Sequence, residues 1–148
     1  MHPTWYPPGG GQDVKRLEAV PGEDREFGSF CLEFLASILK RRPDHVDALK
    51  VAAHYLTKLG YYADGLTLDR ELAGLFPDDP VVLYNLACSL SLNGIADEAF
   101  AALETAVRKG YRDAGHLLDD EDLAFVRSDP RFPDFIGRIL ESVKGMDA

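Results

Sequence analysis

Apolar residues in this chain recur at helical intervals of three and four, and between residues 43 and 110 their arrangement repeats with a period of 34 residues. Equivalent positions in the two stretches often carry the same residue. The matched pairs include Pro43 with Pro77, Leu49 with Leu83, Ala53 with Ala87, Leu56 with Leu90, and Gly60 with Gly94. A fixed period of this length predicts stacked helix pairs, because one pair cannot bury its apolar face without a neighbour.

One further helix is predicted ahead of the repeats. Residues 1–22 are rich in proline and glycine, which predicts an extended or disordered segment. The helix then occupies residues 24–42, and Pro43 ends it. Its apolar residues form a single wide stripe that contains Phe27, Phe30, Cys31, Phe34, Leu35, Ile38 and Leu39.

The repeats and a closing segment account for the rest of the chain. Asp44 and Asp79 are each placed to cap the first helix of a repeat, and Pro80 suits the first helical position. We therefore predict a single all-α domain of about seven helices over residues 23–148. Its parts are a half repeat at residues 24–42, repeats at residues 44–77 and 78–111, and C-terminal capping helices within residues 112–145.

The second repeat resembles a tetratricopeptide repeat. The resemblance rests on Leu83-Tyr84-Asn85-Leu86-Ala87, followed by Leu90, Gly94, Asp97-Glu98-Ala99, Leu103 and Ala106. A closing segment of small bacterial arrays of this type is likewise similar to Asp122-Leu123 followed by Asp129-Pro130-Arg131-Phe132. The resemblance implies a right-handed superhelix of antiparallel helix pairs. In it, residues 24–42 form the second helix of an earlier repeat whose first helix is missing.

Composition excludes several classes of function. A net charge of −9 disfavours nucleic acid and anionic lipid as partners, because both require a basic surface. No apolar run approaches the roughly 18 residues that a membrane helix needs, and the amino terminus does not resemble a secretory signal. Cys31 and Cys88 lie in apolar helical patterns without metal-ligand spacing, which indicates buried free thiols in a cytoplasmic protein.

The resemblance also implies a binding surface. In tetratricopeptide proteins the first helix of each repeat lines a concave groove that holds a peptide or a partner helix. Carried over residue by residue, the groove contains Asp47, Lys50, His54, Thr57, Lys58, Tyr84, Asn85, Cys88 and Ser91. An alternative is that the chain's own amino-terminal tail or carboxy-terminal helix fills the groove.

Three patterns partly match a catalytic or ligand-binding site, and each lacks residues that such a site needs. His54 and Cys88 are equivalent residues of neighbouring repeats, and a cysteine beside a histidine is the minimum for a thiolate nucleophile, but no orienting group is evident. Lys50 and Asn85 occupy two positions of a carboxylate clamp whose other basic residues are missing. The acidic run at residues 119–122 lacks the spacing of a calcium loop, which indicates a solvated helix start. We predict no catalytic residue, metal or cofactor.

The sequence therefore predicts a protein–protein interaction module, either an adaptor or a small chaperone, whose partner is another protein or peptide. The alternatives are a structural module that pairs two chains through the first apolar helix, a chaperone like those of type III secretion, and a thiol enzyme that uses Cys88 and His54. Three interpretations of Trp5 and Tyr6 stay open: docking on the folded body, serving as a ligand for a partner, or no particular role.

Overall fold

The computed structural model describes residues 11–147, and this part of the chain is all-α, as predicted. Trp5 and Tyr6 lie outside the described residues. The right-handed superhelix stays a prediction. The described residues contain a 3₁₀ turn at Glu121–Leu123 and nine α-helices, which are α1 (Val14–Ala19), α2 (Gly22–Arg41), α3 (Val46–Lys58), α4 (Tyr62–Leu75), α5 (Pro80–Leu92), α6 (Ala96–Arg108), α7 (Ala114–Asp119), α8 (Ala124–Arg127) and α9 (Phe132–Asp147).

The chain contains two compact units, and the single domain stays a prediction. The first unit ends at Leu75, and the second begins at Phe76, between the two helix pairs. In the first unit α2 packs against α3, and α3 packs against α4. In the second unit α5 packs against α6, and the 3₁₀ turn, α8 and α9 pack against this pair. The helix count exceeds seven because α1 was not predicted and the capping region contains three helices.

A short helix replaces part of the extended segment predicted for residues 1–22. Helix α1 begins after Asp13, whose carboxylate accepts a hydrogen bond from the Arg16 N–H at 3.0 Å. Helix α2 then begins at Gly22. The prediction of extended chain is wrong for both places, because an N-cap and a few good helix formers are enough to form a short helix between proline-rich and glycine-rich flanks.

The residues before α1 are hydrogen-bonded to the end of α3. Gln12 Nε2 donates to the Leu59 carbonyl at 2.8 Å, and the Asp13 N–H donates to the Gly60 carbonyl at 2.9 Å. Gly60 has a φ of 87°, and a Cβ there would lie 2.8 Å from the Asp13 carbonyl oxygen. Both the left-handed backbone and this close approach therefore require glycine.

Helix caps follow the sequence closely, with one shift. Asp79 caps α5 as predicted, because its carboxylate accepts a hydrogen bond from the Val81 N–H at 2.9 Å. For α3 the predicted cap was Asp44, but His45 occupies the N-cap position and its Nδ1 accepts from the Ala48 N–H at 3.2 Å. The prediction was wrong by one residue because a neutral imidazole offers an acceptor as an aspartate does.

Each unit has its own apolar core. In the first, Gly28 lets α2 approach α3 closely, since a Cβ there would lie 3.1 Å from Leu59 Cδ1. The core of the first unit contains Leu32, Leu35, Leu39, Leu49, Ala52, Leu56, Leu68 and Leu72. The core of the second contains Leu83, Ala87, Leu90, Ala99, Leu103, Ala106, Leu117, Leu123 and Val126. The apolar positions of the repeat pattern therefore do fill these cores.

Candidate functional site

A half-buried carboxylate, that of Asp120, organises polar side chains in the second unit. Asp120 Oδ2 accepts a hydrogen bond from the Tyr84 hydroxyl at 2.8 Å and lies 3.7 Å from the Cys88 thiol. His116 Nε2 lies 3.1 Å from the same oxygen, and Asp120 Oδ1 accepts from the Asp122 N–H at 2.9 Å. We call these side chains, Tyr84, Cys88, His116 and Asp120, the Asp120 cluster. Sequence reasoning treated Asp120 as part of a solvated acidic run and missed this role.

Aromatic rings enclose the Tyr84 side chain. The Tyr111 ring stacks on it with centroids 4.3 Å apart and planes 5° apart, and the His116 ring lies 5.5 Å away. Tyr84 itself is only 4% exposed. The Asp120 cluster therefore fastens the segment that contains α7 and the 3₁₀ turn to the side of α5, through polar bonds beside the stacked rings of Tyr84 and Tyr111.

The pKa values of Cys88 and of the neighbouring tyrosines are raised, which disfavours their ionised, nucleophilic forms. Burial and the nearby Asp120 carboxylate both raise the pKa of Cys88, and burial is also the main cause that raises the pKa of Tyr84. Burial raises the pKa of Tyr111 to about 12. Reactive cysteines need a lowered thiol pKa, so Cys88 is unsuited to act as a thiolate. His54 belongs to the first unit and Cys88 to the second, and their pairing stays a hypothesis.

Most of the predicted groove residues on α5 are not open to a partner. Tyr84, Cys88 and Ser91 are buried, and only Asn85 is exposed. Ser91 Oγ accepts a hydrogen bond from the Val126 N–H at 3.4 Å. The chain's own capping segment therefore covers this face of α5. The sequence could not show this, because a groove position and a position under the cap have the same helical spacing.

The predicted groove residues on α3 are more accessible. Asp47, Lys50 and His54 are exposed, whereas Thr57 and Lys58 are half-buried. Thr57 lies where α3 and α4 cross, because a Cβ on Gly65 would come within 2.8 Å of its hydroxyl oxygen. The first unit therefore retains the upstream part of the predicted surface.

Helix α2 presents a row of exposed phenylalanines that the sequence pattern did not reveal. The side chains of Phe27, Phe30 and Phe34 are 58%, 65% and 59% exposed. The stripe predicted for this helix was too wide to be a single face. Gly28, Leu32, Leu35 and Leu39 occupy the buried side, and the phenylalanines lie on the other.

Aromatic side chains of α3 extend the row of exposed phenylalanines. The Phe27 ring meets the Tyr55 ring edge-on with centroids 6.2 Å apart, and Tyr55 meets the His54 ring in the same way at 5.3 Å. We call Phe27, Phe30, Phe34, Tyr55 and His54 the aromatic band. It lies wholly within the first unit and joins the row on α2 to the accessible residues of α3.

A recess lies in the second unit, between α6 and α9. It encloses about 320 Å³ and is lined by Phe100, Glu104, Arg131, Asp134, Phe135 and Arg138. Arg131 pairs with Asp97 at 2.6 Å and with Asp129 at 2.9 Å, while its guanidinium covers the Phe100 ring. The cation is thus already compensated, and the recess offers little to an outside anion.

Residues 11–147 contain no helix that is long and apolar enough to cross a bilayer, and no group of three side chains placed to bind a metal ion. No protein-family model, curated protein or solved structure matches the chain, so the tetratricopeptide assignment stays a resemblance.

Proposed function

We propose that this protein is a protein–protein interaction module, an adaptor or a small chaperone, that holds a helix or a peptide of its partner. The observation that carries the proposal is the aromatic band of the first unit. Three phenylalanines of one helix are each more than half exposed. Large clustered apolar groups on a soluble protein's surface are typical of binding sites, and aromatic residues dominate the energy of such sites.

The geometry of α2 favours a helical partner. Phe27, Phe30 and Phe34 follow one another at intervals of three and four residues, the spacing by which one helix meets another. In the tetratricopeptide resemblance, α2 is the second helix of a repeat that lacks its first. A partner helix laid along the phenylalanines would complete that repeat.

Polar residues border the aromatic band, as they do in many interfaces. Lys50 and Asp47 are exposed on α3, one and two turns before His54. Apolar anchors surrounded by a polar rim give both affinity and orientation. The predicted groove therefore contributes its exposed α3 residues, Asp47, Lys50 and His54, to the proposed surface, while three of its four α5 residues do not.

Substitution of the phenylalanines tests the proposal. The double variant Phe30→Ser/Phe34→Ser should leave the helical content unchanged, because both side chains already face solvent. In a pull-down with the tagged full chain from its native cell, we expect partner recovery to fall about tenfold or more, as for the loss of an interface anchor.

Phe125→Ser provides the matched control. Phe125 is 47% exposed but belongs to the second unit, so its substitution should leave partner recovery unchanged. Equal recovery of every partner by the wild type and the Phe30→Ser/Phe34→Ser variant would refute the proposed surface.

A further inference from the structure

We propose that α2 of a second copy of this chain covers the exposed phenylalanines. The two α2 helices run antiparallel, about a two-fold axis that passes between them at the level of Leu32. The inference rests on the proposed function, because it names the partner of the same surface. It is argued from the order of side chains along α2.

Six exposed residues of α2 form a regular seam. They are separated by intervals of four, three, four, three and four residues, which is the alternation of a coiled-coil contact line. We call this row the seam; it consists of Glu23, Phe27, Phe30, Phe34, Ser37 and Arg41. With 20 residues, α2 is about 30 Å long, so the seam extends along nearly the whole helix.

The seam is complementary to its own reverse. When two copies run antiparallel with Leu32 at the centre, Glu23 of one chain faces Arg41 of the other, and this happens twice. Phe30 faces Phe34, again twice, and the large Phe27 faces the small Ser37. Every position thus meets a suitable neighbour, which is the condition for a closed two-fold contact.

A parallel pairing would lack this match. It would place Glu23 against Glu23 and Arg41 against Arg41, and like charges in direct contact disfavour a complex. Charge over the whole helix is also nearly balanced, although the chain carries −9 in total. Helix α2 contains four acidic residues and three basic ones, namely Glu23, Asp24, Glu26 and Glu33 with Arg25, Lys40 and Arg41.

Sedimentation equilibrium of the purified full chain tests the pairing, over concentrations from about 1 to about 500 μM. We expect a reversible dimer for the wild type and a monomer for Phe30→Ser/Phe34→Ser. The charge order is tested separately. Glu23→Arg and Arg41→Glu should each raise the dimer dissociation constant about tenfold, because each puts two like-charged pairs in contact.

The double variant Glu23→Arg/Arg41→Glu supplies the decisive comparison. It restores both opposite-charge pairs only in the antiparallel arrangement, so its dissociation constant should return to within about twofold of the wild-type value. Glu141→Arg changes the net charge as Glu23→Arg does but lies on α9, and it should leave dimerisation unchanged. A double variant as weak as the single variants would overturn the antiparallel pairing.

Other outcomes identify other occupants and also overturn the inference. A wild-type monomer that becomes a dimer in Trp5→Ala/Tyr6→Ala would mean that the chain's own tail covers α2. A monomer that loses a captured protein in Phe30→Ser/Phe34→Ser would refute the second copy and keep the proposed function. A monomer with no partner that depends on Phe30 and Phe34 would refute both. A dimer that survives the phenylalanine substitutions would place the contact elsewhere.

Discussion

Replacing Tyr84 with phenylalanine removes a single oxygen atom from the interior of the second unit. That oxygen donates to Asp120 Oδ2 at 2.8 Å, and the Tyr84 side chain is only 4% exposed. The aromatic ring and its stacking on Tyr111 remain in the variant. The substitution therefore isolates the polar bond that fastens the capping segment to α5.

The expected cost follows from the surroundings of the carboxylate. A hydrogen bond to a charged group contributes about 1.5–3 kcal/mol. The Asp120 side chain is 14% exposed and keeps His116 and the Asp122 N–H as neighbours, so part of the loss is offset. We expect the free energy of unfolding of the second unit to fall by about 1.5–2 kcal/mol. For a unit of this size that corresponds to a fall in Tm of roughly 6–16 °C.

Urea denaturation monitored by hydrogen exchange measures the loss of stability in each unit, since exchange reports the opening of each segment separately. Amides of α5 and α7 should lose protection in Tyr84→Phe, while those of α3 should not. Tyr61→Phe makes the same chemical change in the first unit. Within residues 11–147 the Tyr61 side chain makes no hydrogen bond that this change could remove. A loss below about 0.5 kcal/mol for Tyr84→Phe, or an equal loss for Tyr61→Phe, would refute the reasoning.

Three further results are expected. Gly60→Ala should destabilise the chain by about 1–3 kcal/mol in urea denaturation, and more than Gly94→Ala, because both have positive φ but only at Gly60 would a Cβ meet backbone atoms within 3 Å. In native protein at neutral pH, iodoacetamide should modify the half-buried Cys31 well before Cys88, as peptide mass spectrometry would show; rapid modification of Cys88 would contradict its raised pKa. In alkaline unfolding monitored by circular dichroism, the contribution of Tyr111 to stability should be complete below about pH 10 and lost towards pH 12, because folding raises the pKa of Tyr111 to about 12. Tyr111→Phe should therefore reduce the fall in stability over this range.

Local signals in the sequence were sufficient for most helix boundaries. Asp79 and Pro80 begin α5 because a carboxylate cap and a proline both suit the first turn, whatever lies around them. Gly60 and Gly94 end the first helix of each pair because both adopt positive φ. These features depend on a few neighbouring residues, so the sequence alone predicts them.

The two surfaces that matter most depend on contacts between distant residues. Phe30 and Leu35 contribute alike to an apolar pattern, and their different exposure follows from Gly28, which brings one side of α2 against Leu59. Asp120 likewise belongs to a run of four acidic residues, and it is distinguished by its contacts with Tyr84 and Cys88, 36 and 32 positions earlier. Helical periodicity contains none of these contacts, so it could not distinguish the exposed face of α2 or the half-buried Asp120 carboxylate.

The cover that the capping segment provides for α5 has a consequence for synthesis. Tyr84, Cys88 and Ser91 become buried only when the residues around Asp120 and Val126 are present, because these form the contacts with them. A chain made from its amino terminus therefore exposes that side of α5 until the residues around Asp120 and Val126 have left the ribosome. Ribosome stalling or premature termination just after α6 should yield an aggregation-prone fragment that depends on chaperones.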